Sequence, residues 1–311
     1  MIYAQPDRVA TALQLAMLLE VSAHPKPGNV HRTKDFKDTR FEHFLASASA
    51  LYPIWRAGAQ RGLNLAIRNR RLIYGDLILK GCREMLRWQS GGNTSLGAIL
   101  LLTPMSMAAG FAARSIHPNL STLREALLKV LESGTPWDTI YIYKAIREVS
   151  PGGIGRMAEL DVMDEGSPAK ILEGRITPLK VFEESAFRDS IAREWVTSFS
   201  ITFTIGYPTF MDELERCGDV NVAAVNTFLK ILAEVPDTLI ARKVNFKVAL
   251  RVSQMAERIV KEGGLRTLKG LRMTRRLDGL LRRRGNLFNP GTTADLTCSS
   301  IGVALLTGFK P

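Results

Sequence analysis

The chain has 311 residues, 46% of them hydrophobic and 23% charged, an ordinary globular mix that excludes collagen-like, disulfide-scaffold and wholly disordered chains. The 42 Lys and Arg against 30 Asp and Glu leave a net charge of +12, which points to an anionic partner, either nucleic acid or a polyphosphorylated small molecule. Three distant cysteines and no CxxC pair argue against a structural zinc site and fit a reducing compartment. The N-terminus lacks a basic segment ahead of its apolar stretch and does not read as a signal peptide, so a cytoplasmic protein is expected.

Helical signals run the length of the chain. Val9, Leu13, Ala16, Met17 and Glu20 follow helical spacing from a start at Pro6-Asp7, and His24-Pro25-Lys26-Pro27-Gly28 ends that helix. Further helices are expected over 41–62, bent at Pro53, over 71–89, and over 94–115. The stretch 96–113 has no charge and is long enough to test for a membrane span. Pro104, flanking hydroxyls and two glycines favour a helix buried on all sides instead. Ser121 is a good N-cap, and Thr135-Pro136-Trp137-Asp138 starts a helix that stops at Ser150.

Residues 154–180, rich in Gly and Pro, read as a long excursion. Helices then resume over 181–205, 208–217, 221–234 and 246–262. A basic one follows over 265–284 and a terminal one over 292–307. There are no period-2 strands and no solenoid repeat. The expected fold is all-α, a single domain of about 12 helices at the usual helix length.

Four segments share a design: a Gly- or Pro-containing break with polar residues just before a helix. They are Pro25-Lys26-Pro27-Gly28-Asn29-Val30-His31-Arg32, Gly91-Gly92-Asn93-Thr94-Ser95-Leu96-Gly97, Cys217-Gly218-Asp219-Val220-Asn221, and Asn289-Pro290-Gly291-Thr292-Thr293-Ala294-Asp295. Free N–H groups at helix starts, approached closely through small residues, suit phosphate. Each segment also reads as a plain capped helix start. Asp219, Asn221 and Asp295 add oxygen ligands of the kind a hard cation takes. Glu20 closes an apolar helix, where the helix dipole disfavours a carboxylate. That cost calls for a partner: Lys26, Arg32 or a metal.

The basic run carries Arg266, Lys269, Arg272, Arg275, Arg276, Arg282, Arg283 and Arg284 against Asp278. It reads equally as a solvated helix face or a wall toward phosphates. No helix-turn-helix, zinc-finger or RNP-type motif supports nucleic-acid binding, and no membrane partner is expected.

In this order the four segments resemble the triphosphoribosyl-dephospho-CoA synthase family. The family's Glu followed by PKPGLVDR stands here as Glu20 and Pro25 to Arg32. Its NTHKG is Asn93-Thr94-Ser95-Leu96-Gly97, its GDTNVASRGG begins at Gly218, and its NxSPGGSADL runs from Asn286 to Leu296. Departures are Ser95-Leu96 for the family's His-Lys, Asp35 to Arg40 for GAHxDM, and no recognisable RGEAE.

The resemblance implies transfer of a 5-triphosphoribosyl group from ATP to dephospho-CoA with release of adenine, with Mg²⁺ assisting. It implies Lys26, Gly28, Asn29, His31, Arg32, Asn93, Thr94, Gly97, Asn289, Gly291 and Thr292 around the nucleotide. Asp219, Asn221 and Asp295 fall to the metal, and Glu20, with Asp219, to catalysis. The same chemistry on another cofactor precursor, such as a pterin-type acceptor, stays open, as do a non-enzymatic nucleic-acid-binding helical protein using the basic helix and a homodimer.

Overall fold

The structure is a computed structural model that describes residues 5–68, 74–112, 118–150 and 166–311. Fifteen α-helices occupy these residues, and no β-strand occurs among them; His31 and Lys34 form an isolated bridge. The expected all-α architecture holds, with more and shorter helices than sequence spacing suggests.

α1 (Gln5–Ser22), α2 (Phe41–Arg68), α4 (Leu96–Phe111) and α15 (Gly291–Leu306) form the centre. α4 packs on α1, α2 and α15, and α1 packs on α15. α4 is buried over almost its whole length, which explains its uninterrupted apolar sequence. Among the described residues no helix is long and apolar enough to cross a membrane. The approach of α2 and α4 is close because small residues face each other. A Cβ on Gly62 would sit 1.9 Å from Met107 O, and one on Gly110 would sit 2.0 Å from Ala59 O. One apolar core extends from Val9 to Leu306 through these helices.

Around the centre lie α3 (Gly75–Arg87), α5 (Leu120–Glu132), α6 (Pro136–Val149) and α7 (Ser167–Glu173). Thr135 and Asp138 form a complete capping box at the start of α6, as that tetrapeptide predicts. Asn119, not Ser121, caps α5, its side chain accepting from Thr122 N at 2.8 Å. The expected helix limits at 71 and 115, and residues 154–165 of the 154–180 excursion, lie outside the described residues; the rest of that excursion holds α7 and the start of α8 (Pro178–Ser185).

The helix expected over 181–205 is broken. α8 (Pro178–Ser185) and α9 (Ser190–Val196) are separate, because Asp189 caps α9 through Ile191 N and Ala192 N. Ser198 and Phe199 then take positive φ, at 49° and 59°. A π-helical turn over Thr202–Gly206 runs into α10 (Tyr207–Cys217). The buried Glu194 carboxylate binds Ile201 N at 2.7 Å and Thr202 N at 2.9 Å, satisfying the backbone freed at this break.

α11 (Val220–Glu234), α12 (Thr238–Lys243), α13 (Phe246–Lys261) and α14 (Leu268–Leu281) complete the chain before α15.

Candidate active site

A cavity of about 770 Å³ opens where the ends of α1, α4, α6, α8, α12 and α15 meet. Its volume is that of a small-molecule site. Of the expected site residues, Glu20, Asn29, Asn93, Thr94, Gly97, Asn289, Gly291, Thr292 and Asp295 line it. Segments nearly 200 residues apart in sequence thus come together.

Glu20 is buried in the last turn of α1, and its partner is Lys26, itself 1% exposed. Lys26 Nζ donates to Glu20 Oε1 and, at 2.8 Å, to Glu20 O. The lysine therefore answers both the carboxylate and the open carbonyl at the helix end, which the dipole argument requires. Burial raises the Glu20 pKa, with the Lys26 charge pulling against it.

Asp295, one turn into α15, reaches across to the start of α4. Its Oδ1 accepts from Ala98 N at 2.9 Å, and its Oδ2 lies where a Cβ on residue 97 would be, only 2.0 Å away. Gly97 is the residue that lets the carboxylate close on the helix end. Burial pushes the Asp295 pKa well up, and repulsion from Glu20 adds to it. Two buried carboxylates thus face one cavity, one held against a lysine and the other driven toward its neutral form.

The Pro25 to Arg32 loop is clamped from below by α14. Gly28, at φ +68°, donates its N–H to Asp278 Oδ1 at 3.0 Å, and Leu281 and Pro290 leave no room for a side chain there. Asp278 also accepts from Lys34 Nζ at 2.8 Å and Arg282 Nε at 2.6 Å. Arg282 in turn donates to Asn29 O and to Asp35 O, and stacks over the Phe36 ring at 4.7 Å. Part of the basic run is therefore internal structure: Arg282 holds this loop and Arg266 pairs with the buried Glu213 at 3.0 Å, while Lys269 makes a surface pair with Glu262 at 2.8 Å.

The GDVNV segment braces the same loop from another side. Asp219 caps α11 by accepting from Val222 N at 3.0 Å. Asn221 accepts from His24 N at 2.9 Å and donates to His24 O at 2.8 Å, with Arg32 Nη2 at 3.5 Å. His31 is buried, and burial together with the Arg282 charge pushes its pKa down to about 3. Lys26, Gly28, His31, Arg32, Asp219 and Asn221 are not among the residues lining the cavity. Asp295 lines the cavity and Asp219 and Asn221 do not; no group of three or more His, Cys, Asp or Glu among the described residues could hold a metal.

The start of α15 carries no side-chain cap at Pro290. Asp237 Oδ2 takes the Thr293 N–H and hydroxyl, both at 2.8 Å, while Gly291 and Thr292 stand at the cavity wall. The cations of the cavity come from elements that spacing did not reveal: Arg242 and Lys243 at the end of α12, and Arg188 before α9. Arg242 pairs with Asp189 at 3.0 Å. Lys243 donates to Asn286 O at 3.2 Å, and burial beside Arg242 lowers its pKa. The six residues of α12 are too few for periodicity to show, and only the Pro236-Asp237-Thr238 cap signal marks it. Two exposed aromatics, Phe187 and Phe246, stand at the same cavity.

Comparison with known proteins shows the family and the fold. Residues 6–310 match the family described as ATP:dephospho-CoA triphosphoribosyl transferase. A protein of Stutzerimonas stutzeri strain A1501 carrying the name 2-(5''-triphosphoribosyl)-3'-dephosphocoenzyme-A synthase is 25% identical, over 97% of this chain and 92% of its own. The Klebsiella pneumoniae synthase of the same name is 24% identical, over 93% and 88%. A crystal structure from Archaeoglobus fulgidus, titled as a triphosphoribosyl-dephospho-CoA synthase, shares the fold. Its TM-score is 0.62 at 24% identity, over 86% of this chain and all of that one. The chain belongs to the ATP:dephospho-CoA triphosphoribosyl transferase family.

Proposed function

We propose that the protein moves the 5-triphosphoribosyl group of ATP onto the 2′-hydroxyl of dephospho-CoA and releases adenine. The convergence of Glu20 and Asp295 on one cavity, beside Gly291 and Thr292 at the start of α15, carries this reading. The reaction breaks the bond from ribose C1′ to adenine N9 and forms one from C1′ to the acceptor oxygen. The acceptor hydroxyl gives up a proton and the departing adenine takes one.

The two carboxylates suit these two proton transfers. We assign Glu20, whose burial-raised pKa is opposed by the Lys26 charge, to taking the hydroxyl proton and facing positive charge at C1′. Asp295, driven toward its neutral form, can supply a proton to adenine. Burial raises both pKa values, and the Lys26 charge opposes the rise only at Glu20, which sets the two carboxylates apart. The N–H groups of Gly291 and Thr292 at the α15 start, with Arg242, Lys243 and Arg188, suit a triphosphate that passes through the reaction intact.

The carboxylates present do not build a resident Mg²⁺ cage. Asp295 Oδ1 is engaged by Ala98 N, Glu20 by Lys26, and Asp189 by its cap and Arg242. Mg²⁺ fits better as part of the Mg–ATP substrate, since it keeps waters and phosphate ligands when few carboxylates are free.

Incubation with ATP, Mg²⁺ and dephospho-CoA should yield free adenine and the triphosphoribosyl adduct in equal amounts by mass spectrometry. Neither product, from folded protein, would overturn the proposal. Adenine with pterin-type acceptors but not with dephospho-CoA would keep the chemistry and change the acceptor.

A further inference from the structure

The outward face of α14 is cationic. Arg272, Arg275 and Arg276, with Arg283 and Arg284 just beyond the helix end, are all exposed, and none makes an ion pair among the described residues. Arg282 turns inward to Asp278, and Asp278, the one acid of the helix, is itself buried. Burial and then the charges of Arg32 and Arg275 lower the His24 pKa, which places Arg275 beside the first loop and extends the cationic surface to Arg32. None of these arginines lines the cavity.

Two further features of this face have no use inside the chain. Leu268 and Leu280 stand out of it, 74% and 38% exposed, about 18 Å apart along the helix. Gly279 lies at helical spacing from Arg272, Arg276 and Arg283, and it is not left-handed, so no turn requires it. Glycine is costlier than alanine in a helix. Gly270 of the same helix is explained by contact, since a Cβ there would sit 2.0 Å from Gly264 O; one on Gly279 would meet nothing within 4 Å. The space over Gly279 is open to a partner that comes close to the backbone.

We propose that this face docks a helix of an acidic protein, crossing α14 at Gly279 with its carboxylates on the arginines and an apolar edge toward Leu280. Arginine meets carboxylates as a planar fork, and arginines beside apolar anchors are the composition of a protein interface. A missing side chain at the crossing lets two helices approach closely. Nucleic acid would use the arginines but leave the leucines in water, and α14 offers no aromatic ring for a base to stack on. A second copy of the chain is unsuited, because a two-fold contact would set arginines against arginines. The proposal stands whatever reaction the cavity performs.

Fluorescence anisotropy on the full chain tests this with a synthetic helical peptide of Glu and Ala carrying one stripe of Leu, beside an RNA duplex of equal charge. The wild type should bind the peptide, less tightly as salt rises, and more tightly than it binds the duplex. Arg272→Glu combined with Arg276→Glu should abolish binding. Gly279→Gln should weaken it at least about tenfold without lowering Tm, since it fills the crossing point with a better helix former. A peptide with its leucines replaced by Ser should bind more weakly than the parent. No peptide binding by the wild type would overturn the proposal, as would Gly279→Gln or the Ser peptide binding as the originals do. Tighter binding of the duplex, lost in the double charge reversal, would make the face a nucleic-acid surface and overturn it too.

Discussion

Asp295 and Gly97 are fitted to each other: the carboxylate occupies the space that any side chain at position 97 would need, and so reaches Ala98 N at 2.9 Å. The polar NTSLG segment is therefore tied to the distant Asp295, and the contact fixes where one of the two cavity carboxylates points.

Gly97→Ala should displace that carboxylate. Overpacking of this kind costs about 1–3 kcal/mol, within reach of a folded protein. Misplacing a catalytic group by about 1 Å can cost a hundredfold in rate. The expected result is a modest fall in Tm with a far larger fall in kcat for adenine release. A variant with normal kcat would show that the position of Asp295 is immaterial.

Lys26 should act through Glu20. Lys26→Met leaves a buried carboxylate without its partner, which costs about 3–5 kcal/mol when one member of such a pair is lost. Losing the positive charge raises the Glu20 pKa further, so the base is ionised only at higher pH. The acid limb of the kcat/KM profile should move to higher pH. Lys26→Met combined with Glu20→Gln should recover stability but not activity.

Arg282 is expected to behave unlike its neighbours. Arg282→Lys loses a planar fork that binds Asp278, Asn29 O and Asp35 O together, and should lower Tm and weaken nucleotide binding. Arg276→Ala and Arg283→Ala, both exposed, should stay within about 0.5 kcal/mol of wild type. Equal effects from all three in urea titration would remove Arg282 from its bracing role.

Glu194 sets a pH dependence of stability. Burial raises its pKa to about 7 from the usual 4.5. Between those values the unfolded chain is ionised while the folded chain still holds the proton. Stability is full below about pH 4.5 and falls as pH rises toward 7, by about 3 kcal/mol from this group. Glu194→Gln should flatten that slope in denaturation curves taken from pH 4.5 to 7.5; an unchanged slope would contradict it.

The helical class, the central α4 and two of the caps were readable because periodicity and N-cap residues act locally. Asp219 and Thr135 cap the helices that their sequence context indicates. The 181–205 break was not readable, since its cause is a long side chain, Glu194, turning back on the backbone at Ile201 and Thr202. At the site, polar segments before helices marked the cavity end of α4 and α15. They did not reveal that Asn221 and Arg282 serve the first loop rather than the cavity, because bracing and ligand-binding loops use the same Gly, Asn and Asp chemistry. Arg242 and Lys243 lie on a helix too short to show a pattern.

The proposed chemistry requires Glu20 and Asp295 to act on a nucleotide in this cavity. Single-turnover adenine release from ATP with dephospho-CoA, measured beside ATP binding, tests it most directly. Glu20→Gln and Asp295→Asn should each bind ATP within a few-fold of wild type yet release adenine at least about a hundredfold more slowly, the scale of lost general acid–base catalysis. Release at the wild-type rate from either folded variant would contradict the assignment.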